Sequence, residues 1–266
     1  MALRAVIIGV SGRMGCSLVQ AIRHRPDFAL AAAIAPASGS AIGRDAGELA
    51  GGAPLGVVVS ADLPAALAAA DVAIDFSHPR AAAAHLAACR AAGTPLLIGT
   101  TGLEATLEEP LEEAARRIAL LVAPNTSLGI TLLLELVRSA ARALPEDFDI
   151  EILETHHRLK RDAPSGTALA LGRAAGEGRR LGAEAALAGA GASRGGPRPA
   201  GQIGFAVLRG GDVVGEHDVR FLGAGEQLVL GHRATDRAVF ARGALTAALW
   251  LAQQPPGRYG MRDILS

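Results

Sequence analysis

Between His156 and Thr167 the chain places two imidazoles, its only lysine and a Pro-Ser-Gly-Thr turn. Imidazole is the side chain whose ordinary pKa suits proton transfer near neutrality. The 26 Lys+Arg positions are all arginine except Lys160. A guanidinium stays charged in a protein, whereas an ammonium is a compact point charge able to give up a proton. His156 and Lys160 stand four apart and would share one face of a helical turn. In an extended segment, His156 and His157 would instead point to opposite sides and do different work. Pro164 discourages a helix arriving from upstream, and Ser165 can cap one running downstream. Gly166 leaves room for a ligand at the free N–H groups of the first turn. These residues describe a pocket for an anionic substrate, a carboxylate or phosphate at the helix end with a proton donor beside it. Glu154 and His156 would alternate onto one face of a strand and could be two metal ligands. Two ligands do not complete a coordination shell, however, and the neighbouring cations oppose one. A polar surface turn is the plain alternative.

A second constellation opens the chain. The apolar run ending Val6-Ile7-Ile8 leads into Gly9-Val10-Ser11-Gly12-Arg13-Met14-Gly15, followed by a helical stretch. Glycines so spaced after a strand permit a tight turn and let backbone N–H groups approach a pyrophosphate at the positive end of a helix. Arg13 would add charge there or stand solvated in the first turn. An acid that would bind the adenosine ribose is expected about twenty residues further on, yet that strand ends Ala33-Ile34-Ala35-Pro36. Nothing at that point selects NADH over NADPH. Arg13 or Arg44 could reach a 2′-phosphate. Gly99-Thr100-Thr101-Gly102 and Ala123-Pro124-Asn125-Thr126-Ser127 follow later strands, where ligands collect on open α/β sheets. They read equally as ordinary loops with Ser127 as a helix cap.

The elements that must position these groups change character midway. In the first half, apolar strands at 3–9, 28–34, 72–76, 95–99 and 118–123 alternate with helical stretches at 13–24, 79–92 and 104–117. This is the pattern of a buried parallel sheet covered on both faces. The second half is predicted to contain helices at 128–143, 165–181 and 236–252 and a strand at 149–155. Strands at 203–209, 213–221 and 226–232 read as an antiparallel meander. The Gly-, Ala- and Pro-rich stretch 182–201 reads as a mobile surface loop. A boundary falls near Asn125.

Composition excludes several classes. Formal net charge is zero, aromatic residues make up 3%, and no basic stripe appears, so nucleic-acid binding is not expected. No apolar run approaches the roughly 18 residues that span a bilayer. Cys16 and Cys89 are too few for a disulfide framework or zinc site, consistent with a cytoplasmic protein holding two reduced thiols. His24, His85 and His232 read as histidines without partners, and His78 as structural. His217, within Glu216-His217-Asp218, reads as part of a cross-strand pair. Glu108, Glu109, Glu112 and Glu113 read as a solvated helix face.

Taken together, the motifs resemble the 4-hydroxy-tetrahydrodipicolinate reductase (dihydrodipicolinate reductase) family of bacterial lysine and diaminopimelate synthesis. The resemblance rests on the glycine loop, Asp45-Ala46-Gly47-Glu48, Ile74-Asp75-Phe76-Ser77, Ile98 to Gly102 and Ala123 to Gly129. It continues through Glu154-Thr155-His156-His157, Lys160, Asp162 to Thr167, Gly215-Glu216-His217, Trp250 and Met261-Arg262-Asp263. It covers essentially the whole chain. It implies α/β architecture: a Rossmann-type doubly wound parallel sheet with a second α+β domain on a mixed or antiparallel sheet. The dinucleotide-binding domain would span 1–126, completed by 237–266, and the substrate-binding and oligomerisation domain 127–236. The resemblance further implies NADPH or NADH as cofactor, a cyclic dicarboxylate substrate, a homotetramer, no resident metal, and neither nucleic acid nor membrane as partner. By matching position, His156 would be the acid-base residue and Lys160 the second proton donor. His157, Ser165, Gly166 and Thr167 would take the substrate carboxylate. Gly9, Val10, Ser11, Gly12, Arg13 and Met14 would hold the pyrophosphate. Gly99, Thr100, Thr101, Ala123, Pro124, Asn125 and Thr126 would line the nicotinamide side.

Overall fold

The computed structural model describes residues 1–191 and 196–265. Within them the chain forms two compact units: Met1–Ser127 joined by the chain from Ala238 onward, and Leu128–Arg237.

The first unit runs β1 (Leu3–Ile8), α1 (Arg13–Ile22), β2 (Phe28–Ile34), α2 (Ala46–Leu49), β3 (Val59–Ser60), α3 (Leu63–Leu67), β4 (Val72–Asp75), α4 (Ala82–Ala92), β5 (Leu96–Ile98), α5 (Glu108–Ala115) and β6 (Ala119–Val122). The second holds α6 (Leu128–Ala143), β7 (Asp149–His156), α7 (Gly166–Gly178), α8 (Ala183–Leu187), β8 (Ile203–Arg209), β9 (Gly215–Gly223) and β10 (Glu226–Ala234). The chain then returns to the first unit as α9 (Ala238–Leu251) and β11 (Gly257–Tyr259).

The seven strands of the first unit lie in the order β11-β6-β5-β4-β1-β2-β3 and every pairing is parallel. The order reverses direction between β1 and β4, which is where such sheets take their ligands. One face is covered by α3, α4 and α5 through Leu63, Leu67, Leu86 and Leu111 against Val6, Ile8, Ile98 and Leu120. The other is covered by α1 and α9. Burial on both faces explains strands made of unbroken aliphatic residues; each fully buried Ile or Leu contributes about 1.5–3 kcal/mol. The sheet is thus the Rossmann-type arrangement expected, extended by two short strands, β3 and β11, that sequence did not reveal.

The second unit carries a mixed sheet, order β10-β9-β7-β8. On β7, Ile150, Ile152, Glu154 and His156 point inward; α6 and α7 pack on that face through Ile130, Leu133, Val137, Ala168 and Leu171. The predicted meander needs correction. β9 and β10 form an antiparallel hairpin, but β8 pairs in parallel with β7 on its other edge. The residues between β8 and β9 therefore cross the end of β7, where the Gly210 amide donates to the His156 carbonyl and the Arg158 amide to that of Gly211. A two-residue hairpin could not make that passage. Residues 182–201 also depart from a simple loop: α8 lies there, and Gly189 bridges to Gly204. Residues 192–195 of that expectation lie outside the described residues.

Candidate active site and nucleotide loop

β7 ends at His156, and the chain then leaves the extended conformation and turns, with the Lys160 amide donating to the His157 carbonyl. His156 thus keeps the inward orientation of its strand and is 9% exposed, while His157 is only half-buried. Two residues earlier on the same face, Glu154 is fully buried. Its Oε2 lies 2.5 Å from His156 Nδ1. The same carboxylate accepts a forked pair of bonds from Arg209 on β8, at 2.7 and 2.8 Å, and a third partner's bond from the Ser165 amide at 2.9 Å. Burial opposes ionisation of Glu154. The hydrogen bonds from His156, Arg209 and Ser165 outweigh it and hold the carboxyl down at about 2. An ionised carboxylate only accepts, so His156 Nδ1 must carry the hydrogen and Nε2 is the atom left for chemistry.

His217 completes the cluster. In the antiparallel register it stands opposite Glu154, and its ring packs edge-on against that of His156 with centroids 5.1 Å apart. Ser165 Oγ lies 3.2 Å from its Nε2. Burial and the neighbouring His156 push its pKa down to about 4, so it is neutral at physiological pH. Gly215 faces His156 in the next register position, and a Cβ there would stand 3.0 Å from the imidazole Nε2. Glycine at 215 is what gives the ring its space.

Ser165 caps α7, its hydroxyl accepting from the Ala168 amide. A Cβ on Gly166 would meet nothing within 4 Å, so the first turn of α7 opens onto free space. Lys160 Nζ is paired with both oxygens of Asp162, at 2.8 and 2.7 Å. The Asp162 carbonyl in turn accepts from Arg209 at 2.7 Å. His157 lies among cations: burial first, then Arg237, His156, Lys160 and Arg209, lower its pKa.

The structure therefore brings His156, Lys160, His157, Ser165 and Gly166 into one stretch of the second unit. Three participants escaped sequence reasoning. In the sequence Glu154 reads as a candidate metal ligand and His217 as one of a cross-strand pair, both within family motifs but with no catalytic role, and Arg209 carries no reading at all. The alternation of Glu154 and His156 was the available signal for the first; the other two depend on strand register. Among the described residues, no group of three or more His, Cys, Asp or Glu is placed to hold a metal.

In the first unit, Gly9 adopts φ +84° and packs on the backbone of Phe76 and Ser77, while a Cβ on Gly15 would strike the Gly9 carbonyl and Val10. Ser11, Gly12 and Arg13 are exposed. Gly12 caps α1 with no side-chain bond, and no acid occupies the first turn. This N-terminus is shaped for an anion and fits a dinucleotide pyrophosphate. At the neighbouring strand ends, Gly99 lies flat against the Phe76 ring, and Thr100 is buried with its hydroxyl 3.4 Å from the Asp75 and Ser77 carbonyls. Asn125 Oδ1 accepts from the Ser127 amide, and the Thr126 hydroxyl donates to the Phe240 carbonyl at 2.7 Å. Thr100 and Thr126 thus shape the loops from within. His85, expected to lack a partner, lies 2.8 Å from the buried Asp75 carboxylate through Nδ1.

A glycine turn between the first strand and helix of a doubly wound sheet, on a chain that also carries a carboxylate-supported histidine, defines a nucleotide-dependent oxidoreductase. Comparison with known proteins narrows the class. Residues 3–126 match the family model for the N-terminus of dihydrodipicolinate reductase, and residues 129–265 that for its C-terminus. The chain belongs to the dihydrodipicolinate reductase family, NAD(P)H-dependent oxidoreductases. A 4-hydroxy-tetrahydrodipicolinate reductase of Anaeromyxobacter dehalogenans is 50% identical over 98% of this chain and 97% of its own length. One from Halorhodospira halophila is 49% identical over 100% and 99%. The dipicolinate-bound dihydrodipicolinate reductase of Paenisporosarcina sp. TG-14 superposes with a TM-score of 0.77 over 98% of each chain. At 24% identity it bears on the fold alone. Among the described residues, no helix is long and apolar enough to cross a membrane.

Proposed function

We propose that the protein reduces 4-hydroxy-tetrahydrodipicolinate to tetrahydrodipicolinate with NADPH or NADH, the step its close relatives are named for, in diaminopimelate and lysine synthesis. The observation that carries the assignment of roles is the Glu154–His156 pair, 2.5 Å apart beside the N-terminus of α7.

The first unit binds the dinucleotide: Gly9 to Met14 take the pyrophosphate on the open turn of α1, and Gly99 to Thr101 and Ala123 to Thr126 border the nicotinamide. When bound, the reduced nicotinamide would supply a hydride to an electron-poor carbon of the conjugated ring that remains once the 4-hydroxyl has left as water. The second unit supplies the proton and holds the ring. Substrate carboxylate is received at the N-terminus of α7 by Gly166 and Thr167, with Ser165 and His157 beside them. His156 gives its proton from Nε2 to the carbanion-like carbon. Glu154 fixes the Nδ1–H tautomer and stabilises the imidazolium before transfer. Lys160 adds positive charge where negative charge develops and serves as second proton donor. Among the described residues, the outward face of the mixed sheet exposes Leu208 and Val229, while α6 and α7 pack on the opposite face. This supports self-association as a homotetramer. Unpaired Cys16 and Cys89 suit the reducing cytoplasm.

The test is oxidation of NADPH and of NADH in the presence of freshly formed synthase product. Wild type should turn over, and His156→Gln should lose at least about 100-fold in kcat while still binding reduced cofactor. Full activity in His156→Gln would remove the assignment.

A further inference from the structure

Arg209 touches more of this cluster than any single reaction step requires. One guanidinium nitrogen donates to Glu154 Oε2 at 2.7 Å, and the other donates both to Glu154 Oε1 at 2.8 Å and to the Asp162 carbonyl at 2.7 Å. Glu154 Oε2 is the oxygen that faces His156, and the Asp162 side chain is the one that grips Lys160. A planar fork with donors in fixed directions can satisfy a carboxylate and a carbonyl together; an ammonium has no such geometry.

We propose that Arg209 is a positioning residue that sets the histidine and the lysine in one frame, through Glu154 on one side and the Asp162 backbone on the other. The proposal rests on the reading of His156 as the proton donor. It follows that Arg209 acts on the reaction in two separable ways. Its charge, next to Glu154, offsets the carboxylate that faces the His156 ring. Its shape fixes the loop of Lys160 relative to the imidazole.

The titratable and charged groups around His156 are Glu154 on its own strand, Arg209 on β8, and His217 on β9 with His232 beyond it on β10. His157, Lys160 and Asp162 follow in the loop, and the α7 side offers only the uncharged Ser165. Arg209 is the cation bonded directly to the carboxylate that His156 uses. Removing it leaves the full carboxylate charge beside the imidazolium and should move the alkaline limb of kcat against pH upward.

The test compares Arg209→Met and Arg209→Lys with wild type, following kcat against pH, with melting curves to verify folding. Arg209→Met should move the alkaline limb of kcat against pH upward and lower kcat on the order of 10- to 100-fold. Arg209→Lys keeps the charge and should leave that limb near its wild-type position. It should still lose at least about tenfold in kcat, because the lysine cannot reach both acceptors. An unmoved pH profile in a folded Arg209→Met, or full kcat in Arg209→Lys, overturns the proposal. If Arg209→Met does not fold, Arg209→Lys alone decides it. His156→Gln is measured in parallel. Wild-type kcat there removes the reading of His156 and this proposal with it, whereas collapse there beside unaffected Arg209 variants removes only the role of Arg209.

Discussion

Glu154 and His156 lie two residues apart on one face of β7, with Oε2 of the carboxylate 2.5 Å from Nδ1 of the imidazole. The strand repeat alone makes them neighbours, and the pair is locked by Arg209 and the Ser165 amide. Glu154→Gln should cut kcat and move the alkaline limb of kcat against pH downward, because the proton donor loses its carboxylate partner. It also strands Arg209 beside a neutral amide, costing about 3–5 kcal/mol in urea unfolding. The folded carboxyl is held at about 2 against an ordinary 4.5. Its contribution to stability is therefore complete above pH 4.5 and is lost as pH falls toward 2, on the order of 3 kcal/mol.

His217 gives acid sensitivity of the opposite origin. Its pKa sits at about 4 in the folded chain, against 6.5 when exposed, mainly through burial and then through His156. Between those values the unfolded state binds more protons, so stability falls as pH drops from 6.5 to 4 and levels below. His217→Gln should flatten the dependence of melting temperature on pH across that window. An unchanged slope would mean that another group is responsible.

Lys160 is anchored to Asp162 at both carboxylate oxygens. Lys160→Arg keeps the charge but removes the ability to give a proton and enlarges the head group. Its kcat should fall at least about tenfold with cofactor binding intact; steady-state kinetics with either cofactor would reveal it, and an undiminished kcat would contradict the role.

The open turn of α1 offers a direct test of the nucleotide loop. Gly12 is exposed with ordinary backbone angles, and its Cβ would meet only the Gly9 carbonyl at 3.3 Å. Gly12→Asp should therefore fold, yet place a negative charge where the pyrophosphate is received, weakening NADPH and NADH binding by at least about tenfold in calorimetry. Equal affinity would move the cofactor elsewhere.

Legibility in sequence followed the range of the interactions. The glycine loop, α6, β7 and the cap at Ser165 are set by neighbours within a few residues, and their patterns were readable. Arg209 and His217 join the site through pairing of β7 with β8 and β9, a register that no local pattern encodes. The misplaced β8 has the same cause, since a run of alternating residues does not reveal which edge it will join. His85 meets Asp75 only because a helix begins beside the end of β4. β3 and β11 span two and three residues, too few for periodicity, and owe their form to the strands beside them.

The return of α9 and β11 to the sheet begun by β1 has a consequence for biogenesis. During translation the stretch Leu128–Arg237 emerges as one uninterrupted piece, with every strand of its own sheet in hand. The opening stretch must meanwhile wait, its α9 face bare, until the closing segment leaves the ribosome. A nascent chain halted just before Ala238 is thus expected to hold a folded insert between unfinished flanks, and chaperone engagement should concentrate on the opening stretch.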